Sequence, residues 1–188
     1  MRVFNTETGW GWPARALHWA MAALILFMLG LGYVMVNMTP DLFERFRLTQ
    51  IHKSWGFVVF ALALARLGWR ALNRRAPEPP GQGWQAKAAK RAHVAFYALM
   101  FILPISGWLM ASASELQDLY NIRNMVFGLF ELPDPFVPGD RRIEAVFKAI
   151  HVAAAVALAA LLVAHALAAL KHHFIDRDRV LMRMVRGE

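Results

Sequence analysis

Three long stretches of the chain, 16–40, 92–114 and 149–170, are mostly apolar and contain no Asp, Glu, Lys or Arg. Each exceeds the roughly 18 residues that a helix needs to cross a bilayer. A fourth stretch, about 50–72, carries Lys53, Arg66 and Arg70 near its ends, where long basic side chains reach water. The pattern predicts an all-α fold, an integral membrane four-helix bundle forming one domain over 1–188. Its predicted helices cover about 13–38, 50–72, 92–113 and 143–173.

The connections between these helices differ in length and composition. The first is short, about 39–49. The second, 73–91, contains a proline-rich run at 76–81 that cannot begin as a helix. The third, 114–142, is the longest and holds Pro133, Pro135 and Pro138 together with an apolar run at 125–130. Long loops are often functional, so we expect this run either to lie on the membrane as an amphipathic segment or to cover a site.

The composition is typical of a membrane protein and excludes the cofactors that are held by cysteine. The chain is 58% hydrophobic and 18% charged, whereas soluble domains are about 45–50% apolar and about 25% charged. It contains no cysteine, which excludes disulfides, cysteine-ligated iron–sulfur clusters and the thioether attachment of a c-type heme. Any heme must therefore be held by axial ligation and packing.

The formal net charge of +8 is distributed unevenly over the loops. Counted together with the adjoining helix ends, the two termini and the second connection carry 14 basic and five acidic residues, whereas the other two connections carry seven basic and eight acidic residues. The positive-inside rule then predicts that both termini are cytoplasmic in a bacterial inner membrane. Membrane lipid is the expected partner of the excess Lys and Arg residues, and no nucleic acid is needed to explain the positive charge.

Histidines occur in the apolar stretches at matching depths. His151 and His165 are fourteen residues apart, which is about 21 Å along a helix and returns to nearly the same helix face. In the predicted topology, His52 lies at the level of His151, near the outer surface. His18 lies at the level of His165, near the inner surface. The chain therefore offers two level-matched pairs, His52 with His151 and His18 with His165.

Each pair can supply both axial nitrogens of one heme iron, because imidazole is a good iron ligand. The sequence thus predicts two b-type hemes with His18, His52, His151 and His165 as metal ligands. A heme with both axial positions filled transfers electrons and does not bind oxygen at the metal. The alternative is that some of these histidines are interfacial residues or make ordinary hydrogen bonds between helices.

Other ionisable residues are weaker candidates. Arg66 lies fourteen residues after His52 and therefore reaches the level of the inner pair, where it can bind a heme propionate or extend to lipid headgroups. Lys53 and Lys148 flank the outer pair and can neutralise propionates, attract an anionic substrate or simply lie at the interface. Three further histidines lack a level-matched apolar partner and are expected at the interface, with a quinone or proton role as the alternative: His93, His172 and His173.

Several motifs, in their order and spacing, resemble the bacterial cytochrome b561 family of four-helix diheme cytochromes. The resemblance covers nearly everything after residue 12. It is carried by Ala16-Leu17-His18-Trp19, Ile51-His52-Lys53-Ser54-Trp55-Gly56, the segment 66–70 followed by Pro77-Glu78-Pro79-Pro80, Leu103-Pro104-Ile105-Ser106-Gly107, Ile150-His151, Ala164-His165-Ala166 and His172-His173-Phe174.

The resemblance implies that His18, His52, His151 and His165 are the axial ligands and that the protein exchanges electrons with ubiquinone or another quinone. The family includes a superoxide oxidase that reduces ubiquinone, which implies a superoxide:quinone oxidoreductase as one activity. Lys53, Arg141, Arg142 and Lys148 would then steer superoxide. The alternative is an electron-transfer subunit of a hydrogenase- or dehydrogenase-type complex, fed by a redox partner protein. A third alternative is a heme-free membrane protein.

Overall fold

The structure is a computed structural model that describes residues 2–75, 77, 83–116, 123–136 and 139–187. Four long helices dominate it: α1 (Trp12–Asn37), α2 (Leu42–Leu72), α3 (Trp84–Ser112) and α4 (Arg141–Phe174). A short helix, α5 (Val180–Val185), follows α4. All four long helices are long and apolar enough to cross a membrane. The predicted all-α membrane architecture is confirmed.

Large aliphatic side chains lie on the outside of these helices. Leu26, Val156 and Leu167 are each about 60% exposed or more, whereas small or slender residues such as Ala63, Ala154 and Ser106 are buried. A water-soluble protein would reverse this arrangement, because exposed apolar area is costly in water. The apolar surface therefore fits a lipid environment.

Two helices begin earlier than the hydropathy pattern predicts. Helix α2 begins at Leu42 instead of near residue 50, and Asp41 caps it by accepting a hydrogen bond from the Glu44 amide at 2.8 Å. Helix α3 begins at Trp84 instead of near residue 92. Both added segments carry charged residues, so hydropathy excludes them from the apolar span although they are helical. The prediction identified the apolar spans but not these polar helical turns.

The chain divides into two compact units, each built from parts of all four long helices. The first unit comprises Met1–Ala23, Leu62–Ala98 and Leu158–Glu188, and the second comprises Leu24–Ala61 and Leu99–Ala157. The prediction of a single domain stays a prediction.

Both ends of the chain pack within the first unit. Near the C-terminus, the Met184 carbonyl accepts hydrogen bonds from Arg15 Nε at 3.3 Å and from Trp19 Nε1 at 3.0 Å. Near the N-terminus, Asn5 donates to the Arg75 carbonyl at 3.0 Å. These contacts fix the start of α1, the helix that carries His18.

The long connection contains a β-hairpin in the second unit. Strands β1 (Met125–Val126) and β2 (Phe130–Glu131) pair antiparallel, and Phe127 and Gly128 in the turn both have positive φ, as a tight hairpin turn requires. The apolar run at 125–130 therefore forms a hairpin. Much of the predicted Pro77-Glu78-Pro79-Pro80 motif lies outside the described residues, as does Pro138.

Candidate metal centres

The first unit brings His18 of α1 and His165 of α4 together. Their ring centres are 6.3 Å apart and the ring planes meet at 75°. The second unit brings together His52 of α2 and His151 of α4, with ring centres 6.2 Å apart and planes at 71°. These are the two pairs that depth matching predicts.

Both separations fit a metal ion between the rings. A metal–imidazole bond of about 2.1 Å, with roughly 1.1 Å from nitrogen to ring centre, sets two opposed imidazoles about 6.4 Å apart. Rings in direct contact through a single N–H···N bond can approach more closely. The residues present therefore fit an iron ion with two axial imidazoles at each centre.

His151 is oriented by groups on α3. Its Nδ1 lies 3.0 Å from the Leu103 carbonyl and 3.2 Å from Ser106 Oγ, while Ser106 Oγ donates to the same carbonyl at 3.1 Å. A carbonyl can only accept, so Nδ1 of His151 is the protonated nitrogen. Its Nε2 therefore keeps a lone pair that can bind a metal. Metal-binding histidines in proteins are commonly oriented by such a hydrogen bond from the other ring nitrogen.

Two glycines leave room for the rings of the second centre. A Cβ added at Gly107 would lie 3.1 Å from Cε1 of His151, and one added at Gly32 would lie 3.4 Å from Cε1 of His52. Sequence reasoning missed both positions, although Gly107 belongs to the Leu103–Gly107 motif. Only the packing of one helix on another reveals that these glycines face imidazoles.

Arg66 is part of the first centre. Its Nη2 lies 3.2 Å from His18 Nδ1, and its guanidinium lies 5.9 Å from the centre of the Tyr97 ring. Arg70 lies at the same distance from that ring. The fourteen-residue spacing from His52 to Arg66 predicts that Arg66 lies at the depth of the inner pair. In the structure Arg66 contacts His18, which is a predicted ligand. It therefore favours a site role over the lipid-headgroup alternative.

His93, which was expected at the interface, is exposed and also contacts a predicted ligand. Its ring centre lies 6.1 Å from that of His165, so the first centre contains a third imidazole, and its Nδ1 hydrogen-bonds to the Ala89 carbonyl at 2.7 Å. His93 precedes the apolar core of α3, and matching by depth assigned it no partner. His172 instead pairs with Asp178 at 2.6 Å, and His173 contacts Phe174.

The hairpin is fixed beside the second centre by a polar network. Lys53 Nζ donates to Asn124 Oδ1 at 2.7 Å, and Asn124 Nδ2 donates to Ser112 at 3.2 Å and to Asp134. Asn124 is 1% exposed. The Phe127 amide donates to Ser54 Oγ at 2.9 Å. The apolar run therefore covers helix α2 next to His52, and sequence reasoning missed Asn124 entirely.

Comparisons with known proteins agree with this architecture. The profile of the prokaryotic cytochrome b561 family matches residues 9–187. The chain is 32% identical to Cytochrome b561 homolog 2 of Escherichia coli (strain K12) over 187 residues, covering 98% of this chain and 95% of the relative. It is also 32% identical to Cytochrome b561 homolog 1 of the same organism over 140 residues, covering 72% and 73%.

Four membrane-length helices together with these relatives define a membrane electron-transfer protein that binds b-type heme. More specifically, the chain belongs to the prokaryotic cytochrome b561 family.

Proposed function

We propose that this protein holds two b-type hemes and transfers electrons between them and the quinone pool. His18 and His165 would hold one heme, and His52 and His151 would hold the other. The observation that carries the proposal is the spacing of the two imidazole pairs, 6.3 and 6.2 Å between ring centres. When bound, each heme supplies a one-electron redox centre without an open axial position.

The protein's own groups position the ligands and balance charge. The Leu103 carbonyl and Ser106 fix the tautomer of His151. Arg66 offers a guanidinium that suits a heme propionate carboxylate. The apolar helices keep bulk water away from both centres.

Heme content and ligand loss test this assignment. We expect a pyridine hemochrome assay to give two hemes per chain, both low spin. His52→Ala and His151→Ala should each remove one redox component, and His18→Ala and His165→Ala should each remove the other. One heme per chain, a high-spin spectrum, or loss of the same component in His18→Ala and His151→Ala would refute the pairing.

The charge distribution supports an orientation with both termini in the cytoplasm. The His52/His151 centre then lies toward the periplasm. A carboxy-terminal alkaline phosphatase fusion should be inactive, and a carboxy-terminal green fluorescent protein fusion should be fluorescent. The opposite result would reverse the orientation.

We further propose superoxide as an electron donor at the His52/His151 centre. Two superoxide anions give up one electron each and leave as dioxygen. The two electrons and two protons convert one quinone to quinol. The supporting observation is a basic group near this centre, since Lys53 follows His52 and Lys148 is exposed on α4 three residues before His151. Steering of an anion by such charges is screened by salt.

A xanthine-oxidase superoxide source tests the donor. It should reduce the hemes rapidly, quinone should reoxidise them, and the rate should fall as salt rises. Charge reversal at Lys53 and Lys148 together should slow reduction while the spectrum stays intact. Lys53 is hydrogen-bonded to Asn124, so its reversal would also disturb that contact. Lys148→Glu alone therefore tests the charge more directly, with Lys87→Glu in the first unit as the matched control.

The competing proposal is an electron-transfer subunit of a hydrogenase- or dehydrogenase-type complex. Reduction by superoxide that is no faster than by a neutral donor, and insensitive to salt, would favour it. A dehydrogenase subunit that copurifies with the tagged chain from native membranes would identify the partner.

A further inference from the structure

We propose that the first turns of α3 bind the headgroup of an anionic phospholipid that carries two phosphodiesters, as diphosphatidylglycerol does. The site is a surface groove of about 470 Å³ lined by Lys87, Lys90, Arg91, Val94 and Ala95. None of these residues belongs to either imidazole pair, so the proposal does not depend on how the hemes are held.

Three basic side chains of the groove share one face of α3. Lys87, Lys90 and Arg91 follow the i, i+3 and i+4 spacing, and the helix rises only about 6 Å from the first to the last. All three are exposed, and none forms a salt bridge with another residue that the structure describes. The described part of the chain therefore supplies no anion to this cluster.

The position of these cations in α3 is unfavourable for the helix alone. Helix N-termini carry partial positive charge, so acidic side chains stabilise the first turn and basic ones do not. The first turn of α3 contains no acidic residue and includes Lys87. Like charges three and four residues apart also repel each other. An anion bound across Lys87, Lys90 and Arg91 would remove both repulsions.

The other end of the groove is apolar, which distinguishes a lipid from a soluble anion. Val94 is 63% exposed and lies where α3 enters its apolar span, three residues after Arg91. Trp84, which is also exposed, lies one turn before Lys87, and tryptophan is enriched at the interface between membrane and water. Inorganic phosphate would contact only the basic end. A lipid can place its phosphates on the basic side chains and its acyl chains along Val94.

The number of charges favours a headgroup with two phosphates. Basic pockets at the ends of membrane helices are known to bind such headgroups. The Arg91 guanidinium can bind two phosphate oxygens at once, whereas Lys87 and Lys90 act as point charges. Two phosphates neutralise two of the three cations, whereas a headgroup with a single phosphate leaves two cations that repel each other.

Isothermal titration calorimetry of the purified, delipidated holoprotein in a nonionic detergent tests the site. The probes are diphosphatidylglycerol, phosphatidylglycerol, phosphatidylcholine and inorganic phosphate, each titrated separately. We expect diphosphatidylglycerol to bind most tightly, with one equivalent per chain. A variant that combines Lys87→Gln, Lys90→Gln and Arg91→Gln should bind it on the order of 100-fold more weakly, since each basic group near anionic lipid contributes about fivefold.

The matched control removes the same number of charges from scattered positions. It combines Arg74→Gln, Arg179→Gln and Arg186→Gln, all at exposed sites in the first unit. This variant should bind diphosphatidylglycerol nearly as tightly as the wild type does. If the clustered variant loses its heme spectrum, Lys90→Gln alone provides the test and should weaken binding about fivefold.

Several results would overturn the inference. Equal loss of affinity in the clustered and scattered variants would show a general attraction of basic residues to lipid and no site. Equal affinity for phosphatidylcholine would exclude recognition of charge, and equal affinity for phosphatidylglycerol would exclude a requirement for two phosphates. Inorganic phosphate that binds as tightly as diphosphatidylglycerol would identify a soluble anion as the ligand.

Discussion

The two units hold similar pairs of imidazoles by different means. In the second unit, neutral groups and close packing position the rings: a backbone carbonyl, a serine hydroxyl and two glycines. In the first unit, a guanidinium contacts His18, and His165 lies among the rings of Phe96 and His93. The same pair of residue types therefore has different surroundings in the two units. One pair is set by steric fit, and the other by charge and aromatic contacts.

Filling the space at Gly107 should produce the largest difference between the units. Gly107→Val places atoms where even a Cβ lies 3.1 Å from His151, so the ring must move out of line with His52. We expect one of the two proposed hemes to be lost, measured per chain by pyridine hemochrome. Gly30→Val is the matched control, since a Cβ there has nothing within 4 Å. Two retained hemes in Gly107→Val would show that steric fit does not set the second pair.

Removing the buried amide of Asn124 should loosen the second unit alone. Asn124→Ala deprives Lys53, Ser112 and Asp134 of their shared partner, which should cost about 1–3 kcal/mol of stability. Limited proteolysis should cut the hairpin at 125–131 more readily than in the wild type. Leu129→Ser, at an exposed hairpin position, is the control and should change little. Equal protease resistance in Asn124→Ala and the control would contradict the role of this network.

Weakening the contact between α1 and α5 should affect the first unit alone. Trp19→Phe removes the hydrogen bond to the Met184 carbonyl and should cost about 0.5–1.5 kcal/mol. In a His52→Ala background, the remaining heme should be released at a lower temperature. Trp84→Phe, at a site 76% exposed, is the control and should leave that temperature unchanged. The prediction fails if both variants release heme alike.

The salt bridge at the start of α4 should give the smallest effect. Arg141 binds Glu115 at 2.6 Å, and this hydrogen bond lowers the pKa of the Glu115 carboxyl. The bridge therefore stabilises the fold above the unfolded-state pKa of Glu115, and the contribution is lost as pH falls through the lower folded-state value. Both partners are exposed, so Glu115→Gln should reduce thermal stability only slightly near neutral pH. The difference from wild type should vanish in acid, with Glu7→Gln as the control.

The four apolar spans and the pairing of histidines by depth follow from the amino-acid sequence alone. Both are local properties, because helix rise converts a spacing such as that from His151 to His165 directly into a distance along the membrane normal. The uneven distribution of Lys and Arg likewise predicted an orientation without any knowledge of packing.

Which other groups meet the imidazoles depends on how the helices and the hairpin pack. Gly107, Asn124 and His93 lie at least 44 residues along the chain from the histidine or lysine that each one faces. No periodic pattern marks such contacts, because they depend on how each helix is rotated about its axis and on where the hairpin folds back. Depth along a helix follows from residue number alone, whereas rotation and loop position follow from packing among all the helices.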